Sequence, residues 1–201
     1  MLLTVDESLK KLNIPVAQHH LAASMKDLER LAKKYGYPLV LKVVSPKIIH
    51  KTEAGGVKIV HHRDELFATA SDFLKKGKIL VQEHCSGVEM FLGIKKDPTF
   101  GHVLLAGLGG IFVEVYKDIS FRVCPITKKD AEHMLDELHG KAVLRGVRGQ
   151  KPVNRKALID AMVKLSELPR KLPKMEELDV NPFFVNEKDG KAVDARLVLR
   201  D

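Results

Sequence analysis

The segment Glu177 to Phe184 (ELDVNPFF) carries oxygen-bearing side chains at alternating positions. Because residues two apart in a β-strand point to the same side, Glu177, Asp179 and Asn181 are predicted to share one face. Asp194, in the following segment AVDARL, is predicted to come from the partner strand of a hairpin and to lie beside Asn181. Oxygen ligands on one rigid face suit Mg²⁺, which combines one or two protein oxygens with substrate phosphates. Asp179, Asn181 and Asp194 are therefore a candidate metal and phosphate site; the competing interpretation is polar residues facing water near a turn.

Residues 40–59 (VLKVVSPKIIHKTEAGGVKI) combine a lysine in an apolar strand with a polar loop and a glycine pair. A strand lysine such as Lys42 can bind phosphate as a point charge, and Gly55 and Gly56 would let backbone N–H groups approach phosphate oxygens without interference from a Cβ atom. His50 is a candidate catalytic residue, since a neutral imidazole can carry a phosphoryl group or transfer a proton. On residue type alone, the commoner interpretations are an edge-strand lysine with its ammonium group in water and a loop histidine without a catalytic role.

Two segments near the middle of the chain give weaker signals. Residues 80–93 (LVQEHCSGVEMFLG) could recognise the edge of an adenine ring through backbone groups, with Glu89 accepting hydrogen bonds from ribose hydroxyls. Residues 106–122 (AGLGGIFVEVYKDISFR) offer glycine N–H groups together with charged side chains for phosphate, metal or ordering roles. These charged residues are Glu114, Asp118 and Arg122.

Two common nucleotide-binding motifs are absent from the sequence. A dinucleotide-binding G-x-G-x-x-G motif starting at Gly107 would need a glycine at position 112, which is Phe112, and no G-x-x-x-x-G-K-[ST] phosphate loop occurs. A phosphate site in this chain must therefore be of another kind.

Local signals predict where the helices begin and end. Ser24 followed by Asp27 predicts an N-terminal cap for a helix over Met25–Tyr35, which Gly36 and Pro38 end. Further helices are predicted over 8–12 and 64–76, from Thr127 onwards, and over 155–167 with Asn154 as the cap and Pro169 as the stop.

The segments between these helices have the composition of strands. Strands are predicted over 13–22 and 38–44, from 55 onwards, on both sides of Ser86–Gly87, within the glycine-interrupted stretch 102–126, and in a closing hairpin around Asp189–Gly190. Because strands and helices alternate unevenly, the predicted fold class is α+β with two lobes rather than a doubly wound parallel sheet.

Composition restricts the class of protein. The chain has 201 residues, of which 45% are hydrophobic and 30% charged, which fits one soluble globular domain and argues against fibrous and disordered proteins. The net charge of +8 comes from dispersed lysine pairs, and with no Trp and three Tyr nothing indicates a nucleic-acid-binding surface. No apolar stretch approaches the roughly 20 residues of a membrane span, and no signal peptide is recognisable. Cys85 and Cys124 are predicted to be reduced thiols, so a cytoplasmic protein without a membrane partner is expected.

Three segments together resemble one family: SPKIIHKTEAGGV, GLGGIFVEVYKDISFR, and ELDVNPFF followed by AVDAR. They are similar to the nucleotide-binding (beta) subunit of the ADP-forming acyl-CoA synthetases, relatives of succinyl-CoA synthetase, and the similarity runs from NIPV to DARLVL. The resemblance implies an ATP-grasp fold of two α+β lobes with the nucleotide between them. It also implies the ligase reaction acyl-CoA + ADP + phosphate ⇌ carboxylic acid + CoA + ATP. The chain would be a single ATP-grasp domain, 1–201, with approximate lobes 14–81 and 1–13 plus 82–201.

The resemblance implies which residues bind the nucleotide. Lys42 matches a phosphate-binding strand lysine, and Glu89 matches the ribose acceptor. The strand from Gln82 to Cys85 matches the segment that borders the adenine ring. The remaining expected nucleotide-binding residues are Glu83, His84, Gly55, Gly56, Gly109 and Gly110.

The resemblance also implies the catalytic and metal-binding residues. His50 matches a second histidine that relays the phosphoryl group, and Asn181 and Asp194 match the Mg²⁺ ligands. Asp179 stands where the succinyl-CoA relatives have a glutamate that steadies the phosphohistidine, and a carboxylate on the far ring nitrogen raises imidazole basicity. Arg122 is expected to be catalytic with His50 and Asp179.

The resemblance finally implies partners. ADP or ATP is the expected substrate and Mg²⁺ the expected cofactor. A CoA-binding (alpha) subunit carrying the other catalytic histidine is expected, because the chain shows no CoA-binding domain and no acyl-phosphate site, so a hetero-oligomer is expected. Two alternatives stay open: a stand-alone ATP-grasp carboxylate ligase that makes its own acyl phosphate, and a non-catalytic basic binding module.

Overall fold

The computed structural model describes residues 8–44, 55–147 and 149–200. The chain divides into two compact units. The smaller unit is Ala17–His84, and the larger unit contains the residues up to Val16 and from Cys85 onwards. Both units combine helices with a sheet, so the predicted α+β class is confirmed.

Within the described residues, the smaller unit has a four-stranded antiparallel sheet and two helices. The strands are β1 (His19–Ala22), β2 (Leu39–Val44), β3 (Val57–Val60) and β4 (Lys78–Glu83), in the order β1-β4-β2-β3. The helices are α1 (Met25–Tyr35) and α2 (Arg63–Lys76). Apolar side chains of both helices and of the sheet form one buried cluster.

Helix α1 has the bounds that the sequence predicts. The Ser24 hydroxyl accepts a hydrogen bond from the backbone N–H of Asp27, which satisfies one of the free donors at the helix start. Gly36, with a φ of 76°, ends the helix and donates its N–H to the Ala32 carbonyl. Both signals are local, and the bounds follow from them.

Among its described residues, the larger unit contains a six-stranded antiparallel sheet. Its strands are β5 (Val88–Asp97), β6 (Gly101–Leu108), β7 (Ile119–Val123), β8 (Met175–Val185), β9 (Gly190–Ala192) and β10 (Ala195–Leu199). The strand order is β10-β8-β5-β6-β7, and β9 pairs with β8. From Cys85 onwards, the described residues of this unit form the helices α3 (Ile111–Glu114), α4 (Lys128–Glu137), α5 (Arg155–Ser166) and α6 (Leu168–Lys171) and a 3₁₀-helix (Lys141–Arg145). Residues 8–11 are also helical, as predicted.

The two faces of this sheet differ in what covers them. Ile94 of β5 and Leu104 of β6 are register partners, and both are buried in the core that α4 and α5 share with the sheet. Successive residues of a strand point to opposite sides, so the next row of partners lies on the other side. We call that side the second face; its row across β8, β5, β6 and β7 consists of Asp179, Gly93, Leu105 and Phe121.

Two local predictions need correction, and a third is confirmed. Pro169 does not end a helix; α5 ends at Ser166, and Pro169 stands in the first turn of α6, where its missing N–H breaks no hydrogen bond. Residues 111–114 are helical rather than extended, because Gly110 turns the chain with a φ of 61°. The strands on the two sides of Ser86–Gly87 form as β4 and β5, but they belong to different sheets.

Across the described ranges, no helix is both long enough and apolar enough to span a membrane.

Candidate functional site

The acidic residues of β8 lie as the alternation predicts. Glu177 and Asp179 alternate with the buried Leu178 and Val180, so they share the second face. Asn181 lies where the pairing of β8 with β5 shifts register, so its direction does not follow from alternation.

The backbones of Asp194 and Asn181 lie side by side. The backbone N–H of Asn181 donates to the Asp194 carbonyl oxygen at 3.1 Å. Asp194 itself falls in the short connection between β9 and β10 rather than in a strand. In the described part of the chain, no group of three or more His, Cys, Asp or Glu side chains is arranged to hold a metal ion.

The environment of Asp179 fits a cation. Its Oδ1 atom is buried and has no hydrogen-bond partner among the described residues. Burial raises the pKa of Asp179, the negative charges of Glu177 and Asp194 raise it further, and Arg196 opposes the shift. A positive charge that reached this corner would satisfy the unpaired oxygen and offset the repulsion between the carboxylates.

Lys42 is not an edge-strand lysine. It lies in β2, between β3 and β4, and it is only 5% exposed. Its register partners are Val57 on one side and Leu80 on the other. The interpretation of Lys42 as a solvated surface lysine is therefore wrong, because the strand order places its strand inside the sheet.

The glycine pair adjoins the strand of Lys42. Gly55 has a φ of 63°, a conformation that favours glycine, and the Gly56 carbonyl accepts a hydrogen bond from Val43 N–H at 2.8 Å. The backbone of Gly56 is thus fixed next to Lys42. The predicted catalytic residue His50 lies outside the described residues.

The predicted adenine-binding segment begins inside β4 and continues beyond it. Gln82 is fully buried, and Glu83 is the last residue of the strand. Gln18 holds Glu83 in place: its N–H donates to Glu83 Oε1 at 2.7 Å, and its carbonyl accepts from Glu83 N–H at 2.9 Å. His84 is exposed and Cys85 is half-buried.

The structure brings Glu89 together with Gly109 and Gly110. Gly109 N–H donates to the Glu89 carbonyl at 2.7 Å. A Cβ atom on Gly109 would come within 3.1 Å of the Glu89 Cβ, and one on Gly110 within 3.5 Å of Glu89 Oε2. These three predicted nucleotide-binding residues therefore form one corner of the larger unit, a proximity that only the pairing of β5 with β6 reveals.

Arg122 does not lie with Asp179. It pairs in register with the core residue Leu104, so it projects to the helix-covered side and not to the second face. There it forms an ion pair with Glu137 of α4, whose Oε2 also accepts from the Ser120 hydroxyl at 2.5 Å. The hydrogen bond from Arg122 lowers the pKa of Glu137, as does that from Ser120.

Arg122 also occupies the outer edge of the sheet. Cys124 N–H donates to the His102 carbonyl at 2.8 Å, so Cys124 is in a hydrogen-bonded pair with β6. Hydrogen-bonded and non-hydrogen-bonded pairs alternate along antiparallel strands. Phe121, three residues before Cys124, is therefore in a non-hydrogen-bonded pair, and its backbone N–H and carbonyl point away from β6. The Arg122 guanidinium donates to this outward Phe121 carbonyl at 2.8 Å.

Sequence reasoning missed several residues of this unit. Arg196 is one of them: it pairs with Asp179 in the register of β10 and β8, and its position two residues after Asp194 is the signal that could have identified it. Glu137 and His139 were missed as well, because their contacts with β7 and its preceding loop are distant in sequence. Asp118 was noted for phosphate, metal or ordering roles, and its hydrogen bonds are those of an ordering residue.

The chain is similar to known proteins over nearly its whole length. Residues 3–199 match the family described as ATP-grasp domain. The chain is 43% identical to the acetate–CoA ligase [ADP-forming] I subunit beta of Pyrococcus furiosus, over 96% of this chain and 88% of that one. It is 39% identical to the 4-hydroxybutyrate–CoA ligase [ADP-forming] of Nitrosopumilus maritimus, over 96% of this chain but only 30% of that longer one.

A solved structure shows the same fold. It is the dinucleotide-forming acetyl-coenzyme A synthetase 1 of Ca. Korarchaeum cryptofilum, in complex with coenzyme A and Mg-AMPPCP and with its phosphohistidine segment pointing towards the nucleotide binding site. The TM-score is 0.88 at 35% identity, and the match covers 100% of this chain and 92% of that one. The family resemblance drawn from the sequence is confirmed: the chain belongs to the ATP-grasp family, among the beta subunits of ADP-forming acetate–CoA ligases.

Proposed function

We propose that the chain is the nucleotide-binding subunit of an ADP-forming acyl-CoA ligase, which takes part in acyl-CoA + ADP + phosphate ⇌ carboxylic acid + CoA + ATP. The observation that carries this proposal is the 43% identity to a separately encoded beta subunit across 96% of the chain. The chain's task is the nucleotide half of the reaction, transfer of a phosphoryl group between a phosphohistidine and ADP.

Mg²⁺ would be held by Asn181 and Asp194, beside the Oδ1 atom of Asp179, which has no hydrogen-bond partner among the described residues. When bound, the ion supplies charge neutralisation for the phosphate oxygens. Lys42, buried in the centre of its sheet, contributes a fixed positive charge for phosphate. The corner of Glu89, Gly109 and Gly110 contributes a ribose acceptor and close backbone approach.

The phosphoryl relay is assigned to His50, with Asp179 as the carboxylate that orients the phosphorylated ring. The Oδ1 atom of Asp179 supports this orienting role. Because it has no hydrogen-bond partner in the described part of the chain, it can accept an imidazole N–H without losing another hydrogen bond there. Gln82, Glu83, His84 and Cys85 are assigned to the adenine edge, with Gly55 and Gly56 at the phosphates.

A CoA-binding partner subunit completes the proposed enzyme. The Pyrococcus relative is named as a subunit, whereas the Nitrosopumilus relative carries the matching region as 30% of a longer chain. By analogy with the Pyrococcus relative, recognition of the acid is assigned to the partner subunit. The expected assembly is a hetero-oligomer.

Calorimetric titration with ADP and ATP, with and without Mg²⁺, tests the proposal. The wild-type chain is expected to bind ADP more tightly with Mg²⁺, and Asp194→Asn is expected to remove most of that magnesium dependence. Asp189→Asn is the matched control, because Asp189 lies at the tip of the same hairpin. Absence of nucleotide binding by the wild-type chain, alone and together with a CoA-binding subunit, would contradict the proposal.

A further inference from the structure

Asp118, which precedes β7, is a buried carboxylate that binds a turn distant in sequence. It is 5% exposed. Its Oδ1 accepts from His139 N–H at 2.8 Å and lies 3.2 Å from His139 Nδ1, while its Oδ2 accepts from Gly140 N–H at 2.9 Å. Burial alone would raise the pKa of Asp118, but these hydrogen bonds outweigh it and lower the pKa, so the group is ionised at neutral pH.

The backbone of Asp118 joins two further segments. Its N–H donates to the Phe112 carbonyl in α3 at 3.1 Å. Its carbonyl oxygen packs against the end of β6 so closely that a Cβ atom on Gly107 would lie 2.5 Å from it. Asp118 therefore connects the end of β6, helix α3 and the 139–140 turn.

The 139–140 turn packs against the same strand end. A Cβ atom on Gly140 would lie 2.3 Å from Leu108 Cδ1 and 3.2 Å from Asp118 Oδ2. Only a glycine fits at this position without displacing its neighbours. The turn is thereby held against Leu108, the residue immediately before Gly109.

The proposed nucleotide-binding glycines lie between strand β6 and helix α3, both of which Asp118 contacts. Gly109 and Gly110 are the only residues between the end of β6 at Leu108 and the start of α3 at Ile111. Asp118 contacts both flanking elements, either directly or through Gly140. We propose that Asp118 is a positioning residue for nucleotide binding: it fixes the Gly109–Gly110 turn against Glu89 without touching the nucleotide. This inference rests on the proposed function.

The test is ADP affinity, measured calorimetrically with Mg²⁺ on full-length protein at a temperature where circular dichroism shows every variant folded. Asp118→Asn keeps one acceptor oxygen and Asp118→Ala keeps none, so affinity is expected to fall in that order, by about tenfold for Ala. A graded loss in folded protein is not expected of a residue that contributes only to global stability.

Two controls separate positioning from general destabilisation. Asp130→Ala removes a carboxylate that accepts two hydrogen bonds from Thr127 at the start of α4, and it is expected to lower the melting temperature but leave ADP affinity within about twofold. His139→Ala removes a ring that is 97% exposed but keeps both backbone N–H groups, so its affinity is also expected to be unchanged.

The outcomes distinguish this inference from the proposed function. If wild-type protein, with its CoA-binding partner, binds no ADP, the proposed function fails. If the wild type binds ADP and Asp118→Ala binds it equally well, or if Asp130→Ala loses as much affinity, the positioning role is overturned. Should the Asp118 variants fail to fold, Gly140→Ala displaces the same turn; unchanged ADP affinity in that variant would overturn the inference.

Discussion

Arg196 of β10 lies directly opposite Asp179 of β8 in the antiparallel pairing. Its positive charge opposes the rise in pKa that burial, Glu177 and Asp194 cause at Asp179. Ionisation of Asp179 therefore disfavours the folded chain, because the carboxylate is desolvated and lies near the negative charges of Glu177 and Asp194.

Asp179→Asn is therefore expected to stabilise the nucleotide-free chain at pH 7, by about 1 kcal/mol. It removes a charge from a half-buried residue whose Oδ1 atom is buried and has no hydrogen-bond partner among the described residues. Arg196→Gln is expected to destabilise the chain, and to do so less in the Asp179→Asn background. Denaturant unfolding of the two single variants and the double variant measures both effects. Equal effects of Arg196→Gln in the two backgrounds would show that the two residues do not interact.

The raised pKa of Asp179 determines how the stability of the folded chain changes with pH. A group whose pKa is higher in the folded state contributes stability at low pH, and that contribution is lost as the pH rises through the folded pKa. The stabilisation by Asp179→Asn is expected to vanish in acid, where the wild-type carboxyl is protonated.

Lys42→Met is expected to lower ADP affinity at least about tenfold, because the substitution removes a buried positive charge while keeping the length of the side chain. Lys58→Met is the matched control, since Lys58 is an exposed lysine of the neighbouring strand β3. Titration calorimetry at a temperature where both variants are folded measures the difference. Similar affinities in the two variants would remove Lys42 from the proposed phosphate site.

Arg122→Met is expected to lower stability by about 1 kcal/mol and to leave ADP affinity within about twofold. The reason is that Arg122 joins β7 to Glu137 of α4 on the side of the sheet away from Asp179. Thermal unfolding and calorimetry measure the two quantities. A large loss of phosphoryl transfer in the assembled ligase, with stability intact, would instead support the catalytic role that the family resemblance implies.

Glu137 is expected to make stability depend on pH in the opposite direction to Asp179. Hydrogen bonds from Arg122 and Ser120 lower its pKa below the ordinary value of 4.5, so its contribution to stability is present above pH 4.5 and is lost as the pH falls through the folded pKa. The difference in melting temperature between wild type and Glu137→Gln is expected to shrink from pH 6 to pH 3. A constant difference across that range would show that the charge of Glu137 is not involved.

Structural features that depend on neighbouring residues are predicted from the sequence more reliably than features that depend on distant ones. The start of α1 at Ser24 and the start of α4 at Thr127 are predicted correctly, because each cap lies within three residues of its hydrogen-bond partner. The shared face of Glu177 and Asp179 is also predicted correctly, since it follows from strand alternation alone.

Features that depend on the order of strands in a sheet cannot be predicted from local sequence patterns. Lys42 becomes a buried residue only because β2 lies between β3 and β4. Arg122 is separated from Asp179 by the register of three strand pairs, which no local pattern encodes. The contacts of Asp118 with Gly140 likewise depend on how the chain returns past β6 after α4.

The hydrogen bond from Arg122 to the Phe121 carbonyl lies at an exposed edge of the sheet. An unprotected edge strand is a template onto which another chain can add a strand, and β7 carries the 65% exposed side chain of Phe121 at such an edge. The guanidinium occupies an outward carbonyl that an incoming strand would need, while Glu137 keeps it in place. Arg122 is therefore expected to hinder strand addition at this edge, and Arg122→Met is expected to lower the solubility of the chain more than its affinity for ADP.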